Sequence, residues 1–201
     1  MGSRRMGRGR LVALNKFGKD ITNESGSKAG AGMKDAVTSI SRRREGHKII
    51  TEIAIDLGGT GSDVQTSTTL ADIIGDGAAT ANCYVYQHHP DRGGYITNVE
   101  VVCLEAPVEA EADIDVVLSL SPTGTQNVLY PSGHSTVLVA AGGDWTLGAV
   151  DHYAATIGTM HDIGNGHEFM YLVNGASGDP GTYSAGKFVI SVEGYAVNAD
   201  G

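Results

Sequence analysis

The sequence predicts an all-β protein, an antiparallel β-sandwich or jelly roll of about eight strands. The first observation is a period-2 alternation of apolar and polar residues, which is typical of strands with one buried face. The second is a composition with 29 glycines and no convincing amphipathic helix. The third is a series of turn-forming segments, HHPDRGG, SPTG, AAGGD and NGASGDPG, between the alternating runs.

Four segments show the alternation most clearly. In ITEIAIDL, residues 50–57, the side chains of Ile53, Ile55 and Leu57 share one face. YITNVEVVCLE, DIDVVLSLS and KFVISVEGY repeat the pattern, with Val99, Val101 and Cys103 on one face of the first of these. Less regular strands are predicted in ANCYVYQ, STVLVAA, EFMYLVN and near TLADIIG, so that the total is about eight.

Charge is distributed unevenly along the chain. Residues 1–48 contain twelve Lys and Arg and four acidic residues, a net charge of +8, whereas residues 49–201 contain two and nineteen, a net charge of −17. A basic segment joined to an acidic body indicates an arm that binds a negatively charged surface. We therefore predict a long, extended N-terminal arm, residues 1–48, and an acidic sandwich, residues 49–201, that stays folded when the arm is deleted.

The arm carries the candidate partner-binding residues. Its cations are suited to phosphate or to an acidic protein surface, and its apolar side chains are suited to anchoring it there. Phe17 is its only aromatic residue, so that base stacking is not indicated and a protein partner is favoured over nucleic acid. The candidates are Arg4, Arg5, Arg8, Arg10, Leu11, Val12, Leu14, Phe17, Arg42, Arg43 and Arg44.

Candidate nucleotide and catalytic sites lack their partner residues. IAIDLGGTG, residues 53–61, is similar to the phosphate-binding turn of sugar kinases of the hexokinase and actin-like superfamily, but the rest of the chain predicts strands rather than two α/β lobes. We interpret Gly58, Gly59 and Gly61 as a turn that follows a strand. No Gly-x-Ser-x-Gly elbow accompanies His134 and Ser135. We expect neither an enzyme nor a bound cofactor.

Three further groups of residues have structural interpretations. HDIGNGHE, residues 161–168, offers ligands for zinc or calcium, but its spacing matches neither a zinc finger nor an EF-hand, and a turn is favoured. Cys83 and Cys103 are expected to be buried, reduced thiols, with one cross-strand disulfide as the alternative. The acidic side chains of PVEAEADID are expected to form the solvent face of a strand, and they are Glu109, Glu111, Asp113 and Asp115.

Several stretches together resemble virion structural proteins of marine tailed phages, especially cyanophages. They are SRRREGHKIITEIAIDL, LADIIGDGAATANCYVYQ, VEVVCLEAP followed by EADIDVVLS, and FMYLVNGASGDPGTYSAGKFVISVEGYA. The resemblance spans residues 40–198 and supplies no active site. It implies a capsid decoration or cement protein of the phage head, with the major capsid protein and copies of itself as partners, a trimer being favoured.

Two other functions remain open at this point. A sandwich displayed on the virion could bind glycans or a receptor through exposed rings, for which the candidates are Trp145, Tyr153, Tyr171 and Tyr183. Alternatively, the chain could be a coat protein whose basic arm contacts the packaged genome. No apolar run approaches the roughly 20 residues that span a bilayer, so that no membrane partner is expected.

Overall fold

The structure is a computed structural model that describes residues 29–59, 64–66, 70, 72–75, 82–119, 122, 135–154, 168–176 and 180–196. These residues form an antiparallel all-β sandwich, which confirms the predicted fold class. The strands are β1 (Val37–Glu45), β2 (Lys48–Asp56), β3 (Gln65–Thr66), β4 (Tyr86–His88), β5 (Tyr95–Val108), β6 (Ile114–Ser119), β7 (Ser135–Val139), β8 (Val150–Ala154), β9 (Glu168–Asn174), β10 (Gly181–Thr182) and β11 (Ala185–Tyr195). A short helix, α1 (Pro90–Gly93), precedes β5. The jelly-roll form stays a prediction.

The larger sheet has five strands in the order β1-β2-β11-β5-β8. Its register aligns Ile53 with Ile190 and Ile190 with Val101, and all three side chains are buried. These positions belong to the apolar faces that the period-2 pattern defined. The alternation in sequence therefore becomes one continuous inner face across the central strands of the sheet.

The smaller sheet has four strands in the order β4-β9-β6-β7, and a two-stranded sheet pairs β10 with β3. All seven residues of β9 are buried. On one face of β9, Met170 lies opposite Tyr86 of β4, and both side chains are fully buried. On the other face, the ring of Tyr84 packs against Phe169 and Tyr171. Because both of its faces are covered, β9 lacks the polar alternation of the five-stranded sheet.

The described fold begins well before Ile49, so that the predicted boundary between arm and sandwich is wrong. Strand β1 lies within the predicted arm, yet it pairs antiparallel with β2 along nearly its whole length. Met33, Ala36 and Ile40 are buried in the common core. Residues 29–48 are therefore part of the sandwich, and only residues 1–28, which lie outside the described residues, can serve as a separate arm.

A two-residue turn makes β1 possible. Glu45 and Lys48 face each other across the hairpin, and Gly46 adopts φ of +65°, a conformation that suits glycine in tight hairpins. The sequence pattern missed β1 because only Ile40 of the strand is buried, while Arg and Ser occupy the exposed positions of an edge strand. The segment Glu45–Lys48, with glycine between two extended runs, was the signal that could have located it.

Other predicted strands are shorter in the structure. ANCYVYQ contributes only Tyr86 and Gln87 to β4, because the backbone before Tyr86 bonds instead to the chain near its described start: Gly30 N donates to Tyr84 O and Gly32 N to Asn82 O. TLADIIG contributes two isolated bridges, at Ile73 and Gly75. Strand β8, the edge strand opposite β1, was not predicted, since VDHYA is short and carries the polar residues Asp151 and His152.

Cys83 and Cys103 are buried and free, as expected from the sequence. Burial also raises the pKa of the Cys103 thiol, which reduces the reactive thiolate further. We expect both cysteines to resist maleimide labelling in the native protein and to react at once in denaturant. A disulfide-bonded mass under non-reducing conditions, or a fast-reacting thiol in the native protein, would contradict this placement.

Candidate interaction surface

The structure describes only part of the predicted partner-binding set. Arg4, Arg5, Arg8, Arg10, Leu11, Val12, Leu14 and Phe17 lie outside the described residues, and their role stays a prediction. Arg42, Arg43 and Arg44 are consecutive residues of strand β1 at the edge of the five-stranded sheet. Their side chains alternate between the two faces of that sheet, so that the three arginines do not form one cationic surface.

Arg42 links the two sheets. Its guanidinium donates to the Thr51 hydroxyl at 3.3 Å and to the Tyr86 hydroxyl at 2.7 Å. Thr51 and Tyr86 are both buried, and Tyr86 belongs to the four-stranded sheet. The Arg42 guanidinium therefore supplies a charged hydrogen-bond donor to two buried hydroxyl groups. These contacts indicate a role for Arg42 in the fold rather than in a docking surface.

Arg43 and Arg44 are exposed and contact their own hairpin. Arg43 pairs with Glu52 at 2.7 Å and with Glu45 at 3.2 Å, while Arg44 Nε donates to the Gly46 carbonyl at 2.8 Å. Charged side chains along an edge strand also oppose uncontrolled pairing with another sheet. Both residues can still reach a partner, although Arg43 already pairs with acidic side chains and Arg44 donates to a backbone carbonyl.

The different roles of these arginines predict different stabilities for their variants. Arg42→Ala leaves the buried Tyr86 hydroxyl without this donor, and we expect a loss of about 1–3 kcal/mol in the free energy of unfolding. Arg43→Ala is the matched control, because exposed ion pairs contribute about 0–1 kcal/mol. Urea unfolding of both variants measures the difference. Equal stability of the two variants would contradict the structural role of Arg42.

The outer face of the five-stranded sheet carries an exposed apolar band, which we define as Ala54, Val102, Leu104, Val150 and Val189. The register places Ala54 beside Val189, Val189 beside Val102, and Val102 beside Val150, which forms one row across four strands. Leu104 follows Val102 on the same face of β5. The exposed fractions of Leu104 and Val150 are 52% and 56%. Both side chains thus lie in solvent on an open sheet face.

Charged and polar side chains border the apolar band on both sides. On one side, Glu52 and Glu100 flank Ser191, and His152 lies beside Glu100. On the other side, Lys187 bridges Glu105 at 2.5 Å and Asp56 at 3.8 Å. An apolar centre with a polar rim is the usual anatomy of a protein–protein interface. This arrangement makes the outer face the best-supported interaction surface of the described residues.

The aromatic residues considered for glycan binding do not form an exposed cluster. Trp145, Tyr171 and Tyr183 are buried, and Tyr153 is partly buried. Trp145 Nε1 donates to the Ile114 carbonyl at 2.8 Å, and the Tyr183 hydroxyl donates to the Glu111 carbonyl at 2.7 Å. These rings pack in the core with their polar atoms hydrogen-bonded, which does not favour the receptor-binding interpretation.

The acidic residues of EADID depart from the sequence prediction. Glu111 and Asp113 are buried, with exposed fractions of 7% and 8%, so that their placement on a solvent face is wrong. Glu109 is exposed, as expected. Burial occurs because the loop after β7 closes over this segment, where Trp145 N donates to the Ala112 carbonyl, and because Gly175 N donates to the Asp113 carbonyl.

The pKa of the Asp113 carboxyl is raised, first by burial and then by repulsion from Asp115, Glu111 and Asp144, against a hydrogen bond from Gly143 N–H. A raised pKa means that the folded state disfavours the carboxylate, so that stability falls as the pH rises through the folded pKa. We expect Asp113→Asn to raise the Tm at pH 7, because the amide carries no charge to bury. The gain should vanish below about pH 4, the ordinary pKa of Asp. A pH-independent gain would contradict this cause.

The remaining sequence candidates are only partly within the described residues. Leu57 and Gly58 form a turn directly after β2, as the turn interpretation required, but Thr60 and Gly61 lie outside the described residues. HDIGNGHE is likewise outside them except for Glu168, which begins β9. Within the described ranges, no group of three or more His, Cys, Asp or Glu side chains could hold a metal ion, and no helix has the length and apolar character needed to cross a membrane.

Comparisons with known proteins leave the chain without an assigned family. No protein-family model matches it, and no curated protein matches it significantly.

Proposed function

We propose that this protein is a non-enzymatic structural component of a phage particle, a decoration or cement protein that stabilises the head lattice. The observation that carries the proposal is the apolar band on the open face of the five-stranded sheet. Burying Leu104 and Val150 against another subunit removes apolar surface from water, at about 25 cal/mol per Å². An open sheet face of this kind suits a lattice contact better than a small-molecule site, which is normally concave.

The proposed partners are copies of the same chain and the major capsid protein. The apolar band supports self-association or docking, and a trimer is the favoured oligomer. The distribution of charge supports a second contact: residues 1–28 have a net charge of +5, from seven Lys and Arg and two acidic residues, whereas residues 49–201 have −17. Opposite charges on neighbouring copies would steer them together. The apolar residues Leu11, Val12, Leu14 and Phe17 would then anchor the arm.

The resemblance to virion proteins of marine tailed phages supports the location in the head. The competing role for the arm is contact with the packaged genome, which its net positive charge also permits. The two roles differ in the surface that they require. A cement protein lies on the outside of the shell, whereas a genome-contacting arm reaches its interior.

An electron-microscopy map of particles from the phage that encodes this chain tests the proposal. We expect copies of the sandwich on the outer surface of the head around a local symmetry axis, with the apolar band buried in a contact. Mass spectrometry of the purified particles should detect the protein in stoichiometric amounts. Particles that lack the protein, or copies whose apolar band faces solvent, would refute the proposal.

A further inference from the structure

The outer face of the five-stranded sheet carries a polar row on each side of the apolar band. We define the first polar row as Glu52 on β2, Ser191 on β11, Glu100 on β5 and His152 on β8, which the register places side by side. We define the second polar row as Asp56 on β2, Lys187 on β11 and Glu105 on β5. A line between β11 and β5 lies at the middle of the face that β2, β11, β5 and β8 form.

The two halves of each polar row are chemically complementary across this line. A second copy that is related to the first by a two-fold axis along the line lays its β5 over β11 and its β8 over β2. The polar side chains that then face each other between the copies are Lys187 and Glu105, Glu52 and His152, and Ser191 and Glu100. Each of these pairs sets a hydrogen-bond donor, which is an ammonium, an imidazole or a hydroxyl, against a carboxylate. The side chains of Lys187 and Glu105 are 46% and 43% exposed, so that both can reach a second copy.

The apolar band is self-complementary about the same axis. Val189 faces Val102 of the second copy, and Ala54 faces Val150, so that apolar side chains meet along the whole band. Leu104, which is largely exposed, extends from β5 toward β11 of the second copy. Two sheets that stack face to face normally pack about 10 Å apart, with strand directions within about 30° of each other. A two-fold axis parallel to the strands keeps the strands of both copies aligned in this way.

Two other symmetric arrangements of the same faces place like charges together. With an axis along β11, Glu52 faces Glu100 of the second copy. Asp56 then faces Glu105. With an axis along the apolar band, across the strands, Glu52 instead faces Asp56. Glu100 then faces Glu105. Both arrangements bring pairs of carboxylates together, and opposed like charges at an interface disfavour the contact. The charges of the two polar rows thus select the axis between β11 and β5.

We propose that this protein forms a symmetric dimer through the outer face of its five-stranded sheet, with Lys187 of each copy opposite Glu105 of the other. The inference rests on the proposed structural function, because it names a second copy of the chain as the occupant of the apolar band. A two-fold contact uses the same surface on both copies and closes on itself. Within the proposed trimer, this contact would therefore join one trimer to its neighbour, and the trimer itself would use another surface.

Exchanging the charges of Lys187 and Glu105 tests this pairing. Lys187→Glu opposes two carboxylates in both halves of the contact, and Glu105→Lys opposes two ammonium groups. By analytical ultracentrifugation of the full-length proteins, we expect each variant alone to self-associate at least about tenfold more weakly than the natural protein. An equimolar mixture should regain association to within about threefold of the natural protein. In the mixed dimer the introduced glutamate faces the introduced lysine, and the natural lysine of one variant faces the natural glutamate of the other.

Net charge does not explain a recovery in the mixture. The natural chain has a net charge of −9, so that Lys187→Glu has −9 − 2 = −11 and Glu105→Lys has −9 + 2 = −7. Both variants are acidic, and they repel each other overall. Lys34→Glu and Asp91→Lys make the same charge changes at highly exposed positions outside the apolar band and its polar rows. These control variants should self-associate like the natural protein, singly and mixed.

Three results would overturn the dimer. They are a natural protein that stays monomeric at all concentrations, single variants that associate as strongly as the natural protein, and a mixture that associates no better than either variant alone. All of these measurements use the free protein in solution. The cement function is tested separately, by the binding of the protein to phage heads, so that an overturned dimer and an overturned cement function are distinguishable.

Discussion

Deletion of residues 1–48 is expected to prevent stable folding, whereas deletion of residues 1–28 is expected to leave the sandwich intact. The longer deletion removes β1 and the buried side chains of Met33 and Ile40. Truncating one such side chain to alanine typically costs about 2–5 kcal/mol, while whole domains are stable by about 5–15 kcal/mol. Losing the side chains of Met33 and Ile40, together with the Arg42–Tyr86 hydrogen bond, should therefore remove most of the free energy of unfolding.

Circular dichroism and urea unfolding measure this difference directly. The chain that begins at Ala29 should keep a β-type spectrum and a cooperative transition close to that of the full-length protein. The chain that begins at Ile49 should aggregate or unfold without cooperativity, because β2 becomes an unprotected edge with Ile53 and Ile55 partly uncovered. A cooperative, equally stable fold of residues 49–201 would show that β1 is a dispensable addition to the sheet.

A glutamate in the apolar band is expected to weaken self-association strongly. Val150→Glu places a charge at the position where the proposed contact would remove water, and such substitutions at the centre of an interface cost several kcal/mol. An effect of about 3 kcal/mol corresponds to a roughly 100-fold weaker association. Analytical ultracentrifugation of the full-length variant and of the natural protein over a concentration series measures it.

Val137→Glu is the matched control for the apolar band. Val137 has an exposed fraction of 50%, close to the 56% of Val150, but it lies on β7 at the edge of the four-stranded sheet. The same charge at the same exposure should therefore leave the oligomer intact. If both variants dissociate equally, or if the natural protein is monomeric at all concentrations, the apolar band is not the contact between copies.

The sequence predicted the strands whose two faces differ in polarity. β2, β5 and β11 each have one buried side and one more exposed, mostly half-buried side, and the alternation located each of them closely. β9 was found from its apolar composition instead. β1 and β8 were not predicted, because edge strands bury few side chains. Most of their residues contact solvent, so that their sequences lack the apolar alternation. Edge strands are where a one-dimensional pattern carries the least information.

The apolar band could be predicted only in part. The sequence alternation places Val102 on the outward face of its strand, between Glu100 and Leu104 and opposite the side chains assigned to the core. Its neighbours Ala54, Val150 and Val189 come from three other strands, and they form a row only when the strand order is known. Asp113 shows the reverse case, because its alternation predicted exposure while a distant loop and Gly175 bury it.

Binding to undecorated phage heads is the direct test of the proposed cement function. We expect the full-length protein and Val137→Glu to bind at both low and high salt, because apolar burial is not screened as exposed ion pairs are. Val150→Glu and the chain lacking residues 1–28 should each bind at least tenfold more weakly. Undiminished binding by both of these proteins would contradict a cement function based on the apolar band and the arm.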